Sequence, residues 1–326
     1  MDLLVLGGTA WLGHAVASAA HDAGFDVTCA ARGSGPVPEG VELVRVDRDE
    51  DDGLAALRDV HWDAVVDVSR HPGQVRRAVR DLTTDHWVFI SSGNVYAEFD
   101  APDQHESSPT LPPLEGDVMP DLSAYGAAKV ACEEAVRSAE ASATILRAGL
   151  IAGPGDVTGR GGYYPWRFAH PTGHDVLVPP DPTQPAAMID VDDLADFVVL
   201  MSEDMIDKTM NVTGRVTTVG AVVEAAREVA ASGATPRPVP AEILEEAGVG
   251  AWMGTPSLPL WVDDPSWRHF PSLCSTRASS YGLVTRPLEQ TLERALAYEE
   301  ARTEPRQAGL TDDEERAVRA LLDARA

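Results

Sequence analysis

Two glycines stand between the first apolar run of the chain, Leu3 to Leu6, and the first amphipathic segment, which opens near Trp11, and a third follows just inside it. The stretch is GGTAWLG, with Gly7, Gly8 and Gly13. A strand that becomes a helix within a few residues needs backbone freedom, which glycine supplies without steric cost. At such a helix start the first backbone amides point outward, and no Cβ blocks the approach of a phosphate-sized anion. The place usually held by a middle glycine is Ala10 here. This junction restricts the chain to folds in which a buried strand feeds a helix packed against it, with a pyrophosphate as the natural ligand of the turn.

The alternation repeats downstream. The apolar runs FDVTCAAR, VELVRVD, DAVVDVS, HWVFISS and ATILRAGLIAG alternate with helical patterns in AWLGHAVASAAHDAG (closed by Gly24), DDGLAALRDV, GQVRRAVRDL and SAYGAAKVACEEAVRSAE. Strands separated by helices pair in parallel through right-handed crossovers. The expected fold class is α/β, a doubly wound parallel Rossmann-type sheet with a smaller, irregular C-terminal substrate lobe. We expect a dinucleotide-binding domain over 1–170, its core completed by about 185–215, with 216–326 mainly the substrate lobe and C-terminal helices. In that second half TTVGAVVEAAREVAASG predicts a helix capped by Thr217 or Thr218, and RPLEQTLERALAYEEAR predicts another. LTDDEERAVRALLDARA predicts a last helix whose acidic first turn suits the macrodipole.

Charge narrows the partners. The chain has 26 Lys plus Arg against 52 Asp plus Glu, a net charge of −26. Phosphate backbones and anionic membranes are repelled by such a surface, so neither nucleic acid nor membrane is expected as a partner. No apolar run reaches 18 residues, and MDLLVLGG lacks a cationic leader region, so neither a membrane span nor a signal peptide is expected. The odd, scattered set Cys29, Cys132 and Cys274 fits reduced thiols and a cytoplasmic location.

Against that composition one base stands out. Lysine occurs twice, at Lys129 and Lys208, and Lys129 follows Tyr125 by four residues in SAYGAAK. On a helix that spacing places both on one face. A free phenol titrates near 10, and a cation fixed beside it favours the phenolate, which makes it useful for proton transfer near neutrality. A lysine ammonium is a compact charge that also donates to a ribose, whereas arginine's planar fork has another reach. Ser91 and Ser92 end the fifth strand, the edge at which open α/β sheets bind ligands. After the second strand the sequence is CAARGSG, where Arg32 and the lack of an acid favour NADP(H) over NAD(H). Asp47 and Arg48 in VDRD offer themselves to the adenine edge.

Taken in order, GGTAWLG, FISSGNVY, YGAAK, LRAGLIAGPGD and IDVDDLADF resemble the extended short-chain dehydrogenase/reductase superfamily, in its NAD(P)-dependent epimerase/dehydratase branch. SSTRASSYGLVTRPLEQTL resembles that branch's closing segment. The resemblance implies a catalytic Ser92, Tyr125 and Lys129. It implies cofactor contacts from Gly7, Thr9, Ala10, Trp11, Leu12, Gly13, Val68, Ser69 and Ser91, besides the residues just named. It also implies a homodimer built through the tyrosine-bearing helix and its neighbour, and it makes the Asp190, Asp192 and Asp193 segment a structural junction, with no metal.

Departures from the branch narrow the reaction. The dehydratases carry Thr-Asp-Glu where this chain has Ser92-Gly93-Asn94, so no acid pair is present there to eliminate water. The epimerases place an asparagine after the sixth strand where this chain has Leu150. The expected activity is therefore NAD(P)-dependent reduction of a carbonyl, or oxidation of a hydroxyl, on a small non-nucleotide substrate. The alternatives are an NAD-dependent nucleotide-sugar epimerase and a non-catalytic relative that senses dinucleotide or binds RNA. Candidate substrate residues are Asn94 and, in GRGGYYPWRF, Tyr163, Tyr164, Trp166 and Arg167, the last for an anionic group. SLPLWVDDPSWRHF, with Trp261, Trp267, Arg268 and His269, is the candidate opposite wall.

Overall fold

The computed structural model describes residues 1–325. Its strands are β1 (Asp2–Leu6), β2 (Asp26–Ala31), β3 (Glu42–Arg45), β4 (His61–Asp67), β5 (Thr83–Ser92), β6 (Ser142–Ala148), β7 (Leu150–Ala152), β8 (Asp175–Val178), β9 (Pro185–Ala186), β10 (Met188–Asp190), β11 (Lys208–Val212), β12 (Thr217–Thr218), β13 (Thr235–Pro238), β14 (Gly250–Ala251) and β15 (Ser257–Leu258). The helices are α1 (Trp11–Asp22), α2 (Pro72–Asp81), α3 (Tyr125–Arg137), α4 (Tyr163–Ala169), α5 (Val191–Asp204), α6 (Val219–Val229), α7 (Ala241–Glu246), α8 (Thr276–Ser280), α9 (Leu288–Ala301) and α10 (Asp312–Arg325). Seven strands form one sheet in the order β11-β6-β5-β4-β1-β2-β3, and all their pairings are parallel.

Alternate residues of β1 serve opposite faces, as a period of two requires. Leu3 and Val5 join a core with Val16, Ala17 and Ala20 of α1 and Leu194, Val198 and Met201 of α5. Leu4 and Leu6 join a core with Val75 and Ala78 of α2 and Cys132 and Val136 of α3. A sheet buried on both faces explains why its strands are apolar throughout. No helix among the described residues is long and apolar enough to cross a membrane.

Three expectations change. DDGLAALRDV forms no α-helix; a turn and the short 3-10 helix Ala55–Leu57 stand there, with Leu54 and Leu57 still buried in the α2–α3 core. The chain folds back so tightly that a Cβ on Gly53 would lie 1.8 Å from the Asp47 carbonyl oxygen. ATILRAGLIAG divides at Gly149: β6 stays in the main sheet, whereas β7 pairs with β10. The core also divides earlier than residue 170. Leu150, Ala152, Tyr163, Tyr164 and Phe168 pack with Val222, Val223, Ile243, Leu292 and Val318 in the second lobe, whereas Ile151 between them packs on the β1 core. Of the two possible caps of α6, Thr218 does the capping, accepting from the Ala221 amide at 3.2 Å.

Gly13 seats α1 on the opening turn. A Cβ there would lie 2.3 Å from the Gly7 carbonyl oxygen and 3.1 Å from Gly8 Cα. Backbone cannot yield as a flexible side chain does, so Gly13→Ala should cost about 1–3 kcal/mol, read as a lower urea midpoint with an unchanged slope.

Candidate active site

At the glycine turn, Gly7 has φ +95°, a conformation that strains any side chain, and a Cβ there would lie 2.7 Å from Val68 Cγ2. Ala10 caps α1 with no side-chain hydrogen bond, so its first amides are left to backbone or ligand. A cleft of about 170 Å³ follows, bounded by Gly7, Thr9 and Ala10, by Arg32, by Asp47 and Arg48, and by Val68 and Ser69. Trp11 and Leu12, expected at the cofactor, send their side chains elsewhere. Trp11 Nε1 donates to the Pro154 carbonyl at 2.6 Å, and Leu12 packs on the α1–α5 core. The open turn, the absent Cβ atoms and the uncapped amides fit a dinucleotide.

Arg48 departs from its expected role. Its guanidinium is buried in a two-pronged pair with Asp67, at 2.9 and 2.6 Å, and donates to the Gln74 carbonyl at 2.9 Å. It braces the ends of β3 and β4 and has no fork left for an adenine. Asp67, fully buried, also accepts from the Ser69 amide at 2.8 Å. Arg32 is exposed, and no acid among the described residues pairs with it. Arg45 stands beside the same corner: it registers with Ala31 across β2–β3, and a Cβ on Gly33 would lie 2.9 Å from its Nε.

The carboxyl end of β5 holds the second half of the site. Ser92 caps the 3-10 turn Gly93–Val95; its Oγ accepts from the Asn94 amide at 3.2 Å and donates to Asn94 Oδ1 at 2.9 Å. Tyr125 opens α3 directly against this turn, because a Cβ on Gly126 would lie 2.1 Å from the Asn94 carbonyl oxygen. One turn further along, Lys129 is only 3% exposed. Its Nζ donates to the Ser69 and Ile90 carbonyls, both at 2.6 Å, and lies 4.8 Å from the Phe89 ring centroid. The lysine therefore ties α3 to the ends of β4 and β5. His71 borders the same place. Its Nδ1 accepts from the Met119 amide at 3.3 Å, and burial, then the Arg70 and Lys129 charges, keep its pKa below the usual imidazole value, with Asp49 opposing.

One further turn along α3 is Glu133, buried completely. It accepts from Ser91 Oγ at 2.5 Å, from Arg147 at 3.0 and 2.8 Å, and from Arg137 at 2.8 Å. Burial alone pushes this carboxyl up, yet Arg147, Ser91 and Arg137 hold it below its usual range. Ser91, expected at the cofactor, thus spends its hydroxyl on the far side of β5 from Ser92. A carboxylate among apolar helix residues was the signal for Glu133, and one ending an apolar strand was the signal for Asp67; sequence reading passed over both.

The expected substrate wall is mostly interior. Tyr163 and Tyr164 are buried in the second core, where the Tyr164 hydroxyl donates to the Pro259 carbonyl at 2.8 Å. Arg167 is fully buried and paired with Asp312 at 2.7 Å and Glu315 at 2.9 Å of α10, so it is unavailable to a ligand. Trp166 is half-buried beneath Arg306, whose guanidinium carbon lies 3.5 Å from its ring centroid. On the opposite wall, Trp261 is buried in the lobe core and Arg268 pairs with Asp181. The His269 amide donates to Phe99 O at 3.1 Å, while Trp267 joins Phe99, Trp252 and Phe270 in an aromatic group with centroids 4.7–5.8 Å apart. Asp190, Asp192 and Asp193 face Arg286 and Arg294 as ion-pair partners.

Residues 70–213 match the sequence model of the NAD dependent epimerase/dehydratase family. That match spans less than half of the chain. Over 162 residues it is 34% identical to 2′-dehydrokanamycin reductase of Streptomyces kanamyceticus, a match that covers 46% of this chain and 43% of the relative. The matched part is thus less than half of that protein. Among solved structures, a putative epimerase from Burkholderia cenocepacia J2315 superposes with a TM-score of 0.69 at 19% identity, covering 92% of this chain and 98% of that one. UDP-glucuronic acid 4-epimerase from Bacillus cereus, solved with NAD, gives a TM-score of 0.65 at 17% identity, covering 92% and 99%. At such identities the structures speak for the fold.

Removing one partner of a buried ion pair leaves the other uncompensated. Glu133→Ala should therefore destabilise the protein by about 3–5 kcal/mol, seen in guanidinium denaturation, whereas Glu134→Ala on the exposed face should change it by under about 0.5 kcal/mol.

Proposed function

We propose that this protein is an NAD(P)-dependent oxidoreductase of the extended short-chain type, reducing a carbonyl on a small non-nucleotide substrate or oxidising the matching hydroxyl. The observation that carries the reading is Lys129, a buried ammonium on two backbone carbonyls, one turn from Tyr125 and bonded to Ser69, which lines the cleft beside the glycine turn. Ammonium groups have three N–H donors, so one remains for a ribose hydroxyl. A bound nicotinamide dinucleotide supplies or accepts the hydride. Tyr125 gives its proton to the carbonyl oxygen as charge grows there, and the fixed Lys129 charge stabilises the resulting phenolate. Ser92 steadies the same oxygen by turning its hydroxyl from Asn94 Oδ1 to the substrate.

Arg32 and Arg45, at the corner where an adenosine 2′-phosphate would lie, support NADP(H) over NAD(H). The Streptomyces kanamyceticus relative is a reductase by name, which favours net reduction over epimerisation. The same reading holds the enzyme to be a homodimer, through α2 and α3, working in the cytoplasm, where its three thiols stay reduced.

Thermal stabilisation separates the candidates, since a ligand of the native state raises the melting temperature. NADPH should stabilise more than NADH, and UDP-glucose should do nothing; a stronger NADH effect accompanied by a UDP-glucose response would establish the epimerase instead. Arg32→Ala should weaken NADPH about 10–100-fold and leave NADH alone. In a reductase assay over a panel of carbonyl compounds, Tyr125→Phe should lose all measurable turnover while NADPH still stabilises the protein within a few-fold of the original concentration. Full activity in Tyr125→Phe would transfer the proton-donor role to another group.

A further inference from the structure

Arg160 lies between β7 and α4, seven residues before the Arg167 that sequence alone nominated for an anion. Its hydrogen bonds are local: the side-chain Nε donates to Thr158 Oγ1 at 3.2 Å, and the Arg160 amide donates to the same oxygen at 3.3 Å. Among the described residues no carboxylate lies within ion-pair distance of its guanidinium, and both terminal nitrogens are without a partner. The nearby acid Asp156 is occupied: its carboxylate takes the Thr158 amide and hydroxyl at 2.9 and 2.6 Å and the Gly161 amide at 3.3 Å.

The guanidinium nevertheless has a fixed seat. Its central carbon lies 5.5 Å from the centroid of Trp252, and Trp252 meets Phe270 edge-on at 5.4 Å. Phe270 packs on the small core that contains Leu273, and Leu273 in turn closes over Gly93, where a Cβ would lie 2.9 Å from Leu273 Cδ1. This chain of contacts leads from Arg160 to the Ser92–Asn94 turn. Burial lowers the Arg160 pKa, while Asp156 and then Tyr125 act on it in the opposite sense. A half-buried, aromatic-backed guanidinium with a vacant fork is built for two oxygens at once.

We propose that Arg160 receives an anionic group of the substrate, a carboxylate or a phosphate carried near the carbonyl that Tyr125 protonates. The inference rests on the reading of Tyr125 as proton donor and adds the substrate class. The overall charge of −26 does not oppose it, because at physiological ionic strength that field decays over about 8 Å and the guanidinium's own charge dominates at its fork. The same charge disfavours an ammonium at this subsite.

The test follows melting temperature against concentration of malonate, inorganic phosphate, putrescine and glucose, on the protein with and without NADPH. In the unaltered chain malonate or phosphate should stabilise, with putrescine and glucose inert. A malonate response assigns a carboxylate, and a phosphate response assigns a phosphate. Arg160→Gln should weaken that anion about 10–100-fold, Arg160→Lys should weaken it less, and both should keep the full NADPH shift. Anion stabilisation that survives Arg160→Gln, a response to putrescine, or no response to either anion overturns the proposal. Loss of the NADPH shift in the unaltered chain overturns the oxidoreductase reading instead, and the anion series without cofactor still decides the role of Arg160.

Discussion

A carboxylate shut away from water holds α3 in place. Moving the Glu133 charge into the interior costs several kcal/mol, and the cost is offset because Arg147 from β6, Ser91 from β5 and Arg137 from its own helix all donate to it. Tyr125, Lys129 and Glu133 succeed one another at four-residue intervals, so they form a single stripe along α3. Pinning the last of the three sets the rotation of the other two about the helix axis. Lys129, anchored on β4 and β5 carbonyls, fixes the same helix a turn earlier. Two polar anchors, each backed by a strand, thus decide where the phenol stands over the sheet edge.

The arginines divide into two groups with different work. Arg48, Arg147, Arg167 and Arg286 are consumed by Asp67, Glu133, Glu315 and Asp193, and they join segments distant in sequence. Arg32, Arg45, Arg70, Arg77, Arg160 and Arg215 have no such acid among the described residues, and of these Arg32 lines the cleft beside the glycine turn. In a chain with twice as many acids as bases, an arginine left without a carboxylate is the exception.

Much of the sheet was legible because its signals are local. Apolar runs of five or six residues, a glycine turn and a Tyr–Lys spacing of one helical turn are all contained within short windows. The failures came from contacts that no window contains. In GRGGYYPWRF, Arg160 and Arg167 look equivalent; what separates them is α10, which brings Asp312 and Glu315 to Arg167 from 145 and more residues away. Arg48 is a similar case, since its claim on adenine disappears once Asp67 arrives beneath it. For DDGLAALRDV, the leucine spacing matched a helix, but Gly53 folds over the Asp47 carbonyl and leaves room for a single 3-10 turn.

Trp11 follows the glycine turn, yet its indole is bonded to Pro154, six positions ahead of Arg160. Its ring also fills the space where a Cβ on Gly155 would sit, 2.5 Å from Cδ1. The first dozen residues and the start of the segment leading to α4 are in this way mechanically one piece. A substitution at position 11 therefore disturbs the Pro154–Gly155 turn together with the glycine turn.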